Sequence, residues 1–326
     1  MKLIVLTKQF GNYTGATVST IQLLNRINKY FDEIIVFTTR TDGTKVSHTK
    51  LKVAKINDLK RSLRKLNSRE YIGYSDDHYG YLFKQVNIKY IHTYHGNWPD
   101  AKWLNPTMFL KSFYFIPLYK ETIKESSETV SVSNYMNKKF VSKYTKNSIV
   151  IYNGIKQRSI HQKNIQQNKF VMVGNIDKRK YQLALQLFKK LPHNFPTVDI
   201  YGDIIDQSIA KKLSQFSFIN LCGIKTTINY GKYQGLICTS KSENLPVSIV
   251  EALRAHVPVY SFDVGGISEI VCNGQNGYLF NTNETAEFAK CIISNHRKFK
   301  FDDDPQFNWD YAAQKYYREF VKVNNE

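Results

Sequence analysis

"SENLPVSIVEALRAHVPVYSFDVGG", residues Ser242–Gly266, carries two acids, Glu243 and Glu251, with seven residues between them. An apolar run containing a proline fills that gap, and a Gly-Gly turn closes the stretch. Just upstream, Leu236–Thr239 is a short apolar run that reads as a buried strand. Ser240–Glu243 then lies in the loop at the carboxyl end of the strand, the edge where open α/β sheets take ligands. Asn244 reads as a helix N-cap and Pro246 as a first-turn residue, with Ile249, Val250 and Leu253 turned to the sheet. Glu243 then precedes the helix and Glu251 sits about two turns into it. The free N–H groups near Asn244–Val247 offer an anion site, and the carboxylates accept hydrogen bonds from hydroxyls. Such a loop suits a ligand with phosphates and many hydroxyls.

The same alternation extends along the chain. Lys2–Thr7, Glu33–Thr39, Leu51–Ile56, Tyr71–Ser75, Lys89–Tyr94, Thr129–Ser133 and Ile149–Tyr152 read as strands, and Ala16–Tyr30 as a helix. A polar stretch without period, Lys156–Lys169, reads as a linker. Phe170–Gly174, Thr197–Gly202, Phe218–Cys222, Leu236–Thr239 and Val257–Phe262 form a second series. The expected class is α/β, with two Rossmann-like doubly wound domains over 1–160 and 161–305. Pro305 breaks the preceding segment, and a last helix covers about 306–326.

The 326 residues carry 46 Lys+Arg against 27 Asp+Glu, a net of +19. Residues 1–160 hold 26 and 11 of these, a net of +15, whereas residues 161–326 hold 20 and 16, a net of +4. The first half is therefore the face for an anionic membrane, polymer or nucleic acid. Cys222, Cys238, Cys272 and Cys291 form no close pair, so buried reduced thiols of a cytoplasmic protein are expected, and no zinc site. "MKLIVLTKQFG" is a first strand, too short for a signal peptide's apolar core. No stretch approaches the ~18–20 apolar residues of a spanning helix.

Ser242–Phe280 resembles the donor-binding segment of the family-four retaining glycosyltransferases of GT-B fold. The shared pattern is Glu243, seven residues and Glu251, then Gly265–Gly266 and Asn276–Gly277. Ser131–Lys156, with its Asn153–Gly154, is similar to the segment that ends the family's first domain. "FVMVGNIDKRKYQLALQLFKKL" resembles the opening of the donor domain, and "FNWDYAAQKYYREFVKV" the helix that crosses back to the first domain. The resemblance implies two domains facing across a cleft. It implies that Glu243 contacts the donor sugar and Glu251 the ribose, with Asn244, Leu245, Pro246 and Val247 near the sugar and diphosphate. Asn175 and Lys180 fall at the diphosphate positions; the family usually has Arg where this chain has Asn175, and Arg179 could compensate. Gly15 and Ala16 match a loop between acceptor and diphosphate, and His95 matches a histidine that reaches the donor sugar.

Lys178, Arg179 and Lys180 at a helix start oppose the helix dipole, which points to an anion there; a solvated helix start is the plainer reading. His92 and His95 would face opposite sides of a strand, so His92 reads as core. Asp76–Asp77 could hold a divalent cation, although the two-domain pattern argues against it. Asp58–Leu66 reads as a basic surface helix and Met108–Lys120 as a core helix; either could instead lie on an anionic membrane. The expected activity is retaining transfer of a hexose or N-acetylhexosamine from a nucleotide sugar, most simply UDP-linked. His95, Glu243 and Lys180 would be catalytic, and no metal or other cofactor is expected. The expected acceptor is anionic or lipid-linked carbohydrate of the cell envelope: a lipid-linked sugar, a glycolipid or a teichoic-type polymer. The place would be the cytoplasm or the inner membrane face. A non-catalytic nucleotide-sugar-binding partner subunit and a basic nucleic-acid-binding protein are the alternatives; no specific nucleic-acid module is recognisable.

Overall fold

A computed structural model describes residues 1–155, 169–225, 227–294, 298–302 and 304–326. The linker expected at Lys156–Lys169 lies, but for Lys169, outside the described residues. The chain forms two compact units, Met1–Lys156 with Asp304–Glu326, and Gln157–Asp303.

In the first unit the described strands are β1 (Lys2–Phe10), β2 (Glu33–Thr41), β3 (Thr49–Val53), β4 (Tyr71–Ser75), β5 (Tyr90–Tyr94), β6 (Glu128–Ser131) and β7 (Ser148–Val150). They form one parallel sheet in the order β3-β2-β1-β4-β5-β6-β7. Its helices are α1 (Gly15–Ile27), α2 (Ile56–Leu63), α3 (Trp98–Ala101), α4 (Pro106–Glu125) and α5 (Asn134–Lys139). The other unit has β8 (Lys169–Val173), β9 (Thr197–Tyr201), β10 (Ile219–Gly223), β11 (Gly235–Cys238), β12 (Val259–Phe262) and β13 (Gly277–Phe280), ordered β10-β9-β8-β11-β12-β13. Its helices are α6 (Lys178–Phe188), α7 (Gln207–Leu213), α8 (Val247–Arg254) and α9 (Thr285–Ser294); α10 (Trp309–Asn325) belongs to the first unit.

Both sheets are wound outward from their first strand, which leaves a switch point between β1 and β4 and another between β8 and β11. At such points the connections leave in opposite directions and open a crevice at the carboxyl edge. β1 shows why the first sheet is covered on both faces. Leu3 and Val5 pack with α1 and α10 residues, whereas Ile4 and Leu6 pack with Leu59 and Leu63 of α2. Apolar residues at both parities are the mark of a parallel strand buried on two sides. α1 starts at a capping box between Thr14 and Thr17. Its expected extension to Tyr30 is a 3₁₀ turn over Asn28–Tyr30. α10 buries Trp309, Ala312, Ala313, Tyr316, Phe320 and Val323, a helical stripe set against α1 and the sheet. Asn153–Gly154 serves this docking. A Cβ on Gly154 would meet the Trp309 backbone nitrogen at 2.2 Å, and Ile155 bridges to Asn308.

Three expectations are corrected. α4 is not a core helix: Leu110 (69%), Phe113 (67%) and Tyr114 (62%) are exposed, and its buried side chains are Ser112, Thr122 and Ile123. None of the four cysteines is fully buried, and Cys272 is exposed. β13 was not expected; four residues after a turn, half-buried at the sheet edge, give almost no period to read.

Candidate functional site

The crevice of the second unit gathers the sequence-predicted donor residues. Gly174 follows β8 with a φ of +137°, a backbone that glycine tolerates; a Cβ there would sit 2.5 Å from the Lys180 side chain. Asp177 caps α6 by accepting from the Lys180 N–H at 2.8 Å. Two bonds stitch this start of α6 to the loop after β11: the Thr239 hydroxyl donates to the Lys180 carbonyl at 2.7 Å, and the Lys241 N–H to the Arg179 carbonyl at 2.9 Å. Strands β8 and β11 are neighbours, so their loops must meet here, although more than fifty residues separate them in sequence.

Glu243 is the centre of the arrangement. Its Oε1 accepts from Arg179 at 3.0 Å, from Lys180 Nζ at 3.0 Å and from the Ser240 hydroxyl at 2.8 Å. Arg179 also donates to the Ser242 carbonyl at 2.7 Å. Burial alone would raise the Glu243 pKa. The Lys180 and Arg179 charges and the hydrogen bonds outweigh it and hold the carboxyl at about 2. The anion that three cations at a helix start seemed to require is, for Arg179 and Lys180, this carboxylate; Lys178 is exposed.

The loop beyond differs in detail from the expectation. Pro246, with φ −75° and ψ 115°, is the N-cap of α8, and no side chain caps it. Asn244 is not the cap; it is buried, and its carbonyl accepts from the Gly266 N–H at 2.8 Å. Leu245 and Pro246 are buried and Val247 opens the helix, half-buried. The later start puts Glu251 little more than one turn into α8, rather than two, and it accepts from the Tyr230 hydroxyl at 2.9 Å. Gly265, at φ +68°, lies against the Glu243 carbonyl, where a Cβ would approach to 1.9 Å. Asn276 and Gly277 are structural: the Asn276 side chain bonds the backbone of Cys272 and Ile270, and Gly277 abuts the Val259 carbonyl. Asn175 is exposed and accepts from the Asp203 N–H at 3.4 Å. Ser240 and Tyr230 escaped the sequence reading. Neither carries a motif; only the fold brings them to the two glutamates.

In the first unit, His95 follows β5 and is half-buried, and burial lowers its pKa to about 4, so it is neutral at pH 7. His92 is fully buried, with Nδ1 3.0 Å from the Ser75 hydroxyl. Gly15 opens α1, and a Cβ there would meet nothing within 4 Å; Ala16 follows, half-buried. Asp76 and Asp77 follow β4. Asp77 accepts from the Tyr79 N–H at 2.8 Å and from the Lys8 N–H, while Asp76 Oδ2 accepts from the Thr20 hydroxyl at 2.6 Å. Desolvation pushes both carboxyls up, and the Asp76 charge adds to the rise at Asp77. Among the described residues no group of three or more His, Cys, Asp or Glu could hold a metal ion.

Residues 154–295 match the profile of the family "Glycosyl transferases group 1". This segment belongs to the group 1 glycosyl transferases. An uncharacterized glycosyltransferase of Methanocaldococcus jannaschii is 26% identical over 260 residues, covering 75% of this chain and 70% of that protein. The O-antigen chain mannosyltransferase RfbU of Salmonella typhimurium is 23% identical over 183 residues, 52% of this chain and 51% of that protein. Among solved structures, Anabaena Alr3699/HepE in complex with UDP and glucose superposes with a TM-score of 0.68 at 18% identity, covering 99% of this chain and 97% of that one. The fold is GT-B: two α/β units, each with a parallel sheet. The family match takes in every donor-side residue named above, from Asn175 to Gly277.

Proposed function

We propose that the chain transfers a hexose or N-acetylhexosamine from a UDP-linked donor to a cell-envelope acceptor, with retention at the anomeric carbon. The observation that carries this reading is Glu243, ionised and held by Arg179, Lys180 and Ser240 at the switch point of the second sheet. A donor diphosphate competes with Glu243 for the two cations, because its oxygens form the same charge-assisted bonds and carry more negative charge. Displaced from them, the carboxylate accepts hydrogen bonds from the sugar hydroxyls. Glu251 takes the ribose in the same way. As the glycosidic bond stretches, charge grows on the leaving diphosphate, and Lys180, Arg179 and the amides near Asn244–Val247 stabilise it. Asn175 adds polarity but no charge. His95, being uncharged, orients a sugar without pairing with the phosphates. The acceptor attacks from the face the diphosphate leaves, which gives retention without a carboxylate nucleophile. The family profile and the UDP complex of a protein of the same fold support the donor assignment; the O-antigen relative supports the acceptor class.

A thermal-shift panel of nucleotides and nucleotide sugars tests it. UDP and one UDP-sugar are expected to raise the midpoint at millimolar ligand, and GDP and ADP counterparts to raise it less. No shift with any of them removes the proposal.

We also place the chain at an anionic membrane surface through α4. Its exposed Leu110, Phe113 and Tyr114 lie beside exposed Lys111 and Lys120, with Trp103 (71% exposed) just before the helix. Among the described residues no helix is long and apolar enough to cross a membrane. Inserting two such side chains gains about 1.5–3 kcal/mol each. Leu110→Ser with Phe113→Ser is therefore expected to weaken sedimentation with phosphatidylglycerol vesicles at least about tenfold. Unchanged sedimentation excludes α4 as the contact.

A further inference from the structure

Tyr230 opens a short 3₁₀ turn, Tyr230–Lys232, between β10 and β11. It is 3% exposed, and its hydroxyl donates to Glu251 Oε2 at 2.9 Å. A buried phenol needs a partner for its O–H. Here the partner is the half-buried acid that the transferase reading gives to the ribose. The turn itself is pinned. The Tyr233 N–H closes it on the Tyr230 carbonyl at 2.9 Å, and the Tyr233 hydroxyl donates to Oδ2 of the buried Asp199 on β9 at 2.9 Å. Having given its proton to Asp199, Tyr233 accepts from the Tyr201 hydroxyl at 2.9 Å. Asn220 of β10 donates to Asp199 Oδ1 at 3.0 Å. Such a network has one low-energy arrangement, so Tyr230–Tyr233 is a fixed strap from β9 to α8 that ends on Glu251.

We propose that Tyr230 is a positioning residue that aims Glu251 at the ribose of the donor and so makes the site select ribonucleotides over deoxyribonucleotides. The proposal rests on the transferase reading, in which Glu251 takes the ribose. A glutamate side chain on a helix turns about several torsions, and ordering it when a ligand arrives costs entropy. Tied to a buried phenol, the carboxylate is already ordered before the ligand comes. Oε1 is then directed at one ribose hydroxyl. Oε2 keeps a second acceptor site for the neighbouring hydroxyl, since each carboxylate oxygen accepts two hydrogen bonds. The two glutamates have opposite kinds of partner. Glu243 is held by two cations, which a diphosphate also attracts, whereas the neutral Tyr230 hydroxyl offers the diphosphate no charge. Donor binding therefore releases one acid and leaves the other in place. A tyrosine of packing value alone would act through its ring, and its effect would be the same for every nucleotide.

Calorimetric titration of the full chain with UDP and with 2′,3′-dideoxy-UDP tests it. Wild type is expected to bind UDP at least about tenfold more tightly, because a site built to bond a hydroxyl rejects the analogue that lacks it. Tyr230→Phe keeps the ring. It is expected to cut the ratio to about threefold or less by weakening UDP, with dideoxy-UDP held within about twofold of wild type. Glu251→Ala is expected to bring the ratio near one, and Tyr230→Phe added to it to change the ratio by less than about twofold, because the hydroxyl acts through the carboxylate. The ratio is internal to each protein, so a modest loss of stability does not move it. Equal weakening of both nucleotides in Tyr230→Phe, or an unchanged ratio, overturns the positioning role and leaves the donor reading. A wild-type ratio near one with UDP bound does the same. No binding of UDP to wild type removes the donor reading and this proposal with it.

Discussion

Glu243→Ala is expected to lower sugar transfer, and hydrolysis of the UDP-sugar, by about 10²–10³-fold, the scale of removing one preorganised electrostatic group. It also leaves Arg179 and Lys180 side by side without the acid that neutralises both. Their side chains are 32% and 17% exposed, so solvent screens part of the repulsion, and a loss of about 1–3 kcal/mol in stability is expected. Glu243→Gln preserves shape and separates the two effects through pH. The native carboxyl titrates at about 2 against an ordinary 4.5, because the two cations and the hydrogen bonds outweigh its burial. The stabilisation from its charge is therefore present above about pH 4.5 and lost as pH falls toward 2. Urea unfolding between pH 6 and pH 2.5 is expected to show a steeper loss in wild type than in Glu243→Gln, with a difference of about 2 kcal/mol. Turnover within threefold of wild type in Glu243→Ala would reject the catalytic role. Parallel pH curves would reject the ion-pair account.

Gly154→Ala is expected to destabilise the first unit by roughly 3 kcal/mol or more. The new Cβ would collide with backbone, not with a side chain that could swing away: the Trp309 nitrogen lies 2.2 Å from the Cβ position and its Cα 2.5 Å. Relief requires moving the start of α10, and with it the six buried side chains that α10 sets against α1 and the sheet. The measurement is urea unfolding followed by tryptophan fluorescence, with hydrogen exchange along α10 as the local readout. Faster exchange over Trp309–Val323 is expected. A cost below about 1 kcal/mol, with α10 still protected, would show that the crossing tolerates a methyl group. The Asn153–Gly154 pair thus illustrates a motif whose reason is packing. Its neighbour in space is the far end of the chain, and no local pattern announces that.

The amino-acid sequence by itself determined the class of fold and the place of the proposed donor site. Strands such as Tyr71–Ser75 and Thr197–Gly202 stand out because a parallel strand covered on both faces must be apolar throughout, between polar turns. The Glu243–Glu251 spacing and the Gly265–Gly266 turn were legible because they are local, as was the approximate start of α10. Tertiary structure alone decided what these groups touch. That Arg179 and Lys180 neutralise Glu243 follows from β8 and β11 being neighbours, a pairing between distant strands that no local pattern records. The start of α8 at Val247, not near Asn244, was decided by the turn at Gly266 that claims the Asn244 carbonyl. α4 misled because its aromatic density resembles a core helix, and density does not say which face finds a partner. Asp76 reads in sequence as one of two acids after a strand; only the fold buries it and sets it in the lining of a cavity with Trp98 and Phe115. Periodicity reports which side of an element is buried, whereas a site is made by side chains converging from elements far apart in sequence, and that convergence exists only once the sheets have formed.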